Sequence, residues 1–142
     1  LSPPSPAISA IVVSYHTGLI LQHSLQAILQ ASGLLELLVV DNGNPPSTQR
    51  WLDHWACSDQ RIRLLRPGRN IGFAGGVNQA AAIAQGDCLA LINPDLLVEK
   101  ETLAQLAAAL QQKTHVWIVG ARLLNWDGTE QRGGRRAFLT PW

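Results

Sequence analysis

Short apolar runs that each stop at a cluster of polar side chains, with a segment of helical spacing after each, constrain this chain more than any other feature. Residues 8–13, 37–40, 62–65 and 88–92 are aliphatic, partly β-branched, and too short for helices, so they are expected to be buried strands. Between them Leu21, Leu25, Ile28 and Leu29 share a helical face that closes at Gly33, and Trp51, Leu52 and Trp55 mark another. An alanine-rich helix is expected from Val77 to Gln85, and Leu103, Leu106 and Leu110 lie on one face of a later helix. Residues 115–119 suggest a fifth strand. Strands alternating with helices imply right-handed βαβ crossovers and an α/β fold with a mostly parallel, Rossmann-like sheet flanked by helices. Asp127-Gly128, between Leu124 and Thr129, signals one late antiparallel β-hairpin through a two-residue connection.

With 142 residues the chain fits one domain and leaves no room for a second. Residues 1–6 form a Pro/Ser-rich leader, and residues 7–142 the domain. The chain has no methionine and ends at Thr140-Pro141-Trp142, which suggests a piece of a longer protein lacking its C-terminal part. A net charge of +1 gives no electrostatic reason to expect nucleic acid, and Arg132, Arg135 and Arg136 read as a solvated face. Cys57 and Cys88 belong to no metal-ligand spacing and are expected as reduced, mostly buried thiols. No run is long enough for a membrane helix and no secretory signal pattern is present, which places the chain in the cytoplasm, with peripheral association at the inner face of the membrane left open.

In a parallel sheet the carboxyl ends of the strands share one edge, where ligands bind. Ser14-Tyr15-His16, Asp41-Asn42, the stretch from Asn70 to Asn78, and Asn93-Pro94-Asp95 all follow apolar runs directly, so they are expected to converge. The connections at the opposite edge, Gly33 to Glu36 and Gly86-Asp87, look less elaborate. Each cluster also has a plain structural reading: Asp41-Asn42-Gly43-Asn44-Pro45 is a good turn and helix-capping sequence. Gly72, Gly75 and Gly76 do not make the dinucleotide fingerprint, but they permit close backbone approach before a helix N-terminus. Proline biases Asn93 towards an extended conformation, in which residues two apart project to one side. Asn93 and Asp95 would then offer two hard oxygens to Mg²⁺ or Mn²⁺, with phosphates and water completing the shell.

These motifs together carry a resemblance. Residues 11–15 (Ile-Val-Val-Ser-Tyr), Val39-Val40-Asp41-Asn42, the stretch from Asn70 to Asn78, and Leu91-Ile92-Asn93-Pro94-Asp95 resemble the family 2 glycosyltransferases of GT-A fold, in particular their bacterial rhamnosyltransferase-like branch. The stretch from Gly128 to Arg136 is similar to that branch's late Asp-Gly and Arg segment. The resemblance runs from about Ala7 to Thr140. It implies a nucleotide-diphosphate sugar, dTDP-rhamnose among the candidates, passed with inversion to a saccharide or lipid-linked acceptor. Asp41 would lie near the base, Ser14 and Tyr15 beside the nucleoside, and Asn70, Gly72, Phe73, Gly75, Gly76 and Asn78 would line the sugar-donor pocket, with Asn42 also among the donor-binding residues. Asn93 and Asp95 would stand for the more familiar Asp-x-Asp, with Asp95 the main metal ligand. The chain departs from the family at His16, where Asn is common, and at Pro45-Pro46, where a further Asp is common. The family's general base falls beyond the segment present here, and Asp127, at a hairpin corner, is a poor substitute.

Two other functions fit an α/β chain with a metal-diphosphate site. A sugar-nucleotide nucleotidyltransferase would carry an early Gly-rich loop with Arg and Lys, which Ser14-Tyr15-His16-Thr17-Gly18 lacks. A non-catalytic nucleotide-sugar-binding or assembly module differs only in lacking turnover. An NAD-dependent dehydrogenase is disfavoured by the missing fingerprint.

Overall fold

The computed structural model describes residues 6–112 and 115–132 of the chain. Four strands, β1 (Ile8–Ser14), β2 (Leu34–Asp41), β3 (Ile62–Leu65) and β4 (Cys88–Leu91), alternate with helices α1 (Ile20–Leu29), α2 (Pro46–Ala56), α3 (Gly72–Ala81) and α4 (Thr102–Gln111). The strands form one parallel sheet in the order β3-β2-β1-β4, as the alternation requires. Ser14 pairs with Asp41, Val40 with Leu65 and Ile11 with Leu91, so every carboxyl end lies on the same edge.

Because β1 and β2 are covered on both faces, their sequences are nearly continuous apolar runs rather than alternating ones. Ile8, Ala10, Val12, Leu37 and Val39 pack with Leu21, Leu25 and Ile28 of α1, Leu52 of α2 and Leu103 and Ala107 of α4. Ile11, Val13, Leu38 and Val40 face the other way, onto Ala80, Val77 and Ala81 of α3. Trp51 and Trp55 stack with ring centroids 5.4 Å apart against the first cluster, so the pair serves as a hydrophobic face.

Several expectations are corrected. Residues 115–119 form no strand: they pair with no described strand, and Trp117 is 88% exposed. A short apolar run becomes a strand only when an edge accepts its backbone groups, and β4 is paired with β1 alone among the described residues. Helix α3 begins at Gly72 rather than near Val77 and ends at Ala81. Its glycines look like a loop by helix propensity, but a Cβ on Gly76 would lie 3.0 Å from both Val13 methyls, so glycine is what lets the helix meet the sheet. The late hairpin reduces to one antiparallel bridge, Leu124 to Glu130, with Trp126, Asp127 and Gly128 between the hydrogen-bonded Asn125 and Thr129. Gly128 there has φ +81°, as in a three-residue loop rather than the two-residue one. Both cysteines are free, but Cys57 is exposed and Cys88 only half-buried. Residues 1–5 of the leader, Arg135, Arg136 and the Thr140 to Trp142 end lie outside the described residues.

The amino edge of the sheet is more elaborate than its sequence suggests. Glu36 is buried, and its Oε1 accepts hydrogen bonds from Ser9 Oγ at 2.7 Å and the Gln85 N–H at 2.6 Å. Its Oε2 accepts Arg63 Nη1 at 2.8 Å, and the same nitrogen donates to the Ile83 carbonyl at 2.9 Å. Burial pushes the Glu36 carboxyl up, but the bonds from Ser9, Arg63 and Gln85 outweigh it and hold the group below the usual carboxylate range. The clasp ties the end of α3 and the start of β4 to the central strands.

Candidate functional site

Three of the four polar clusters are joined by direct hydrogen bonds at the carboxyl edge. The Asn42 N–H donates to the Ser14 carbonyl at 2.9 Å, linking the first two. Asn42 Nδ2 donates to Asn70 Oδ1 at 2.9 Å, and Asn42 Oδ1 accepts the Ile71 N–H at 2.9 Å, linking the second to the third. Asn70 Oδ1 also accepts the Gly72 N–H at 2.8 Å, at a residue whose φ of +75° suits glycine. The fourth cluster follows the neighbouring strand: the Ile92 N–H donates to the Ile11 carbonyl at 3.0 Å, carrying the ladder up to Asn93.

Asn93 and Asp95 are both exposed, and neither side chain bonds to a described residue. Their placement differs from the extended one expected. The Leu96 N–H reaches the Asn93 carbonyl at 3.3 Å, closing a turn around Pro94-Asp95. Proline at the second turn position has the φ that such a turn needs; the turn bends the chain at Pro94 and Asp95 and leaves the extended bias on Asn93 untouched, so the segment is not extended through Asp95. An amide oxygen and a free carboxylate suit a hard divalent ion. No group of three or more His, Cys, Asp or Glu that could hold a metal occurs among the described residues, so the pair fits an ion that draws its other oxygens from phosphates and water.

The site has a buried layer and an exposed one. Asp41 belongs to the buried layer, with its side chain 1% exposed, and it does not offer the free oxygen expected for a nucleoside. Its Oδ1 accepts both the Asn44 N–H and Asn44 Nδ2 at 2.9 Å, and its Oδ2 accepts Arg66 Nε at 3.0 Å. Burial raises its pKa, but the backbone and side-chain bonds from Asn44 and the Arg66 guanidinium prevail and hold it low. Arg66 is itself held by Asp53 at 2.6 Å and the Gln49 carbonyl at 3.1 Å. Ser14 and Asn42 are also buried, and Gly76 sits against the sheet.

Tyr15 and Phe73, each 54% exposed, form the outer layer with Asn70, Gly72, Asn78, Asn93 and Asp95, and Gly75 is half-buried against Ile71. Tyr15 lies over Gly43, where a Cβ would stand 3.7 Å from the ring. Sequence reasoning missed Asn44 and Arg66. Asn44 has a turn former's composition, and only the pairing of the β1 and β2 ends shows it as the centre of a network. Asp127 accepts the Thr129 N–H at 2.9 Å and the Thr129 hydroxyl at 2.6 Å, and these bonds lower its pKa, so it is an exposed turn residue.

The sequence matches the profile of the Glycosyl transferase family 2 over residues 9–141. The chain belongs to that family. It is 33% identical over 133 residues to the uncharacterized protein y4gI of Sinorhizobium fredii, covering 92% of this chain and 15% of that protein. It is 29% identical over 125 residues to the low-salt glycan biosynthesis hexosyltransferase Agl10 of Haloferax volcanii, covering 85% of this chain and 38% of the relative. The chain therefore spans well under half the length of these two family relatives. Among solved structures, a mannosyltransferase from Pyrobaculum calidifontis in complex with GDP-Man and Mn²⁺ superposes with a TM-score of 0.64 at 24% identity, over 71% of this chain and 31% of that one. That likeness shows the family's GT-A fold. Among the described residues no helix is long and apolar enough to cross a membrane.

Proposed function

We propose that this chain carries the sugar-donor site of an inverting family 2 glycosyltransferase, which takes a nucleotide-diphosphate sugar and passes the sugar to a saccharide or lipid-linked acceptor. The observation that carries the reading is the juxtaposition, on one sheet edge, of a free Asn93/Asp95 pair with an exposed aromatic and amide rim held by a hydrogen-bonded layer beneath. The rhamnosyltransferase-like motif pattern makes dTDP-rhamnose the first sugar donor to assay.

Tyr15 would stack on the nucleoside, and Asn70 and Asn78 would hydrogen-bond along it. Asp41 and Asn42 act from below by fixing the loops. Asp95, with Asn93, would hold Mg²⁺ or Mn²⁺ against the diphosphate. When bound, that ion neutralises charge gathering on the diphosphate as it leaves. The acceptor hydroxyl attacks the anomeric carbon from the face opposite the diphosphate; the new C–O bond forms as the bond to phosphate breaks, and a carboxylate base takes the hydroxyl proton. None of the described residues is assigned as that base.

Calorimetric titration with dTDP, UDP and GDP, each with and without Mn²⁺, tests the reading. At least one should bind with metal support, and Asp95→Ala should weaken that binding by about tenfold or more, since even residues behind a ligand cost 10–100-fold in metal affinity. Absence of binding to all three by the folded chain, or equal binding by Asp95→Ala, would sink it.

A further inference from the structure

We propose that Asn44 is a positioning residue for this site: its side chain holds the His16 backbone in the left-handed region and thereby sets the Tyr15 ring at the rim. What the ring meets rests on the sugar-donor reading above; how the ring is held rests on the geometry alone.

His16, with φ +52°, is the non-glycine residue with positive φ among the described residues. A residue with a Cβ enters that region only when its surroundings hold it there. The imidazole is exposed, and the aromatic contact it makes is to the neighbouring Tyr15 ring, 4.6 Å away and edge-on. What fixes the backbone is the His16 N–H, which donates to Asn44 Oδ1 at 2.9 Å. The same oxygen accepts Ser14 Oγ at 3.1 Å, while Asn44 Nδ2 donates to the Ser14 carbonyl at 3.0 Å and to Asp41 Oδ1 at 2.9 Å. With two bonds accepted and two donated, the amide works in one orientation only. Asn44 therefore grips the chain on both sides of Tyr15. Asn44 is buried, 4% exposed, so it acts through the loop and not on a ligand. Tyr15 is half out in solvent, with its ring 3.7 Å from where a Cβ on Gly43 would stand, so the backbone, more than burial, fixes where its ring lies. His is one of the non-glycine residues enriched in the left-handed region.

Tyr15 is the single tyrosine of the chain, so protein labelled with 3-fluorotyrosine gives one ¹⁹F resonance from this ring. Asn44→Ala should move or split that resonance and weaken nucleoside diphosphate binding, measured with UDP, GDP and dTDP plus Mn²⁺, by about tenfold. His16→Val, at an exposed position that does not threaten the fold, should do the same because a β-branched residue resists positive φ. His16→Asn should keep both the resonance and, within about twofold, the affinity, since Asn tolerates the conformation. A resonance unmoved in both Asn44→Ala and His16→Val overturns the inference, as does His16→Asn behaving like His16→Val. Should the parent protein bind no diphosphate, the sugar-donor reading fails and the resonance alone decides the role of Asn44.

Discussion

Replacing Asp41 by alanine tests whether the layer beneath the site is held by a charge. The carboxylate accepts three hydrogen bonds, two from buried Asn44 and one from Arg66. Removing it leaves the Asn44 N–H without a described partner, while Asn44 Nδ2 keeps the Ser14 carbonyl and Arg66 keeps Asp53 and Gln49. An orphaned buried donor costs about 1–3 kcal/mol, and loss of charge-assisted bonds adds to it. The relief of desolvating a carboxylate offsets part, so the net loss at pH 7 should be about 2–4 kcal/mol. For a domain of this size that is a fall in Tm of roughly 6–16 °C.

The pH dependence carries a second, independent sign. Asp41 is held below its ordinary value when folded, so as pH falls the unfolded chain takes up the proton first. Its contribution is fully present above the unfolded value of about 3.9 and is lost as pH falls through the lower folded one. The Tm gap between the parent and Asp41→Ala should be steady from pH 7 to about 5 and narrow below about 4. Glu36 shifts in the same direction, but it is present in both proteins and drops out of the difference. Thermal melts by circular dichroism from pH 7 to 3 read both quantities. A gap under about 1 kcal/mol at pH 7, below the cost of one orphaned buried donor, or one that widens towards pH 3, would refute the reasoning.

Gly86→Ala should destabilise by about 2 kcal/mol or more, because the added Cβ would stand 2.6 Å from the Ser9 nitrogen and 2.8 Å from the Ala7 carbonyl oxygen, both backbone atoms. Gly18→Ala, strained only by φ +84° with open space around it, should cost about 1 kcal/mol, and melts giving the reverse order would show that the close approach is not real. Ser24 Oγ is buried in α1 with no described partner, so Ser24→Ala should raise Tm, by about 1 kcal/mol of stability; a fall would mean the hydroxyl is satisfied.

The alternation of apolar runs and helical faces was enough to place the four strands, their parallel sense and the shared edge, because each run ends where a ladder ends. The roles within the site were less legible. Asp41 and Asn42 announce themselves as polar groups at a strand end, yet whether such a group faces a ligand or a neighbouring loop depends on contacts thirty residues away in sequence or nearly so, as between Asn42 and Ile71. Asn44 and Arg66 carry the network without any local signal. Glu36 looks like one charge in an aliphatic strand, and Ser9, Arg63 and Gln85 become its partners only through the sheet order. At Asn93–Asp95 the rule for the residue before proline reaches less far than the sequence expectation took it: it bears on Asn93 alone, while Pro94 and Asp95 turn.

Helix α3 is fastened at both ends and in the middle. Asn42 and Asn70 grip its first turn, Gly76 seats it on Val13 and Val40, and Glu36 with Ser9 secures the chain leaving it at Gln85 and Gly86. A glycine-bearing segment free in solution would sample many shapes, and here those freedoms are removed by partners on two other strands. The helix is a strut. Its opening turn is held by Asn42 and Asn70 and its middle lies on the sheet, so adjustment at the rim falls first to the exposed side chains, Tyr15 and Phe73, that the strut and its neighbouring loops hold out.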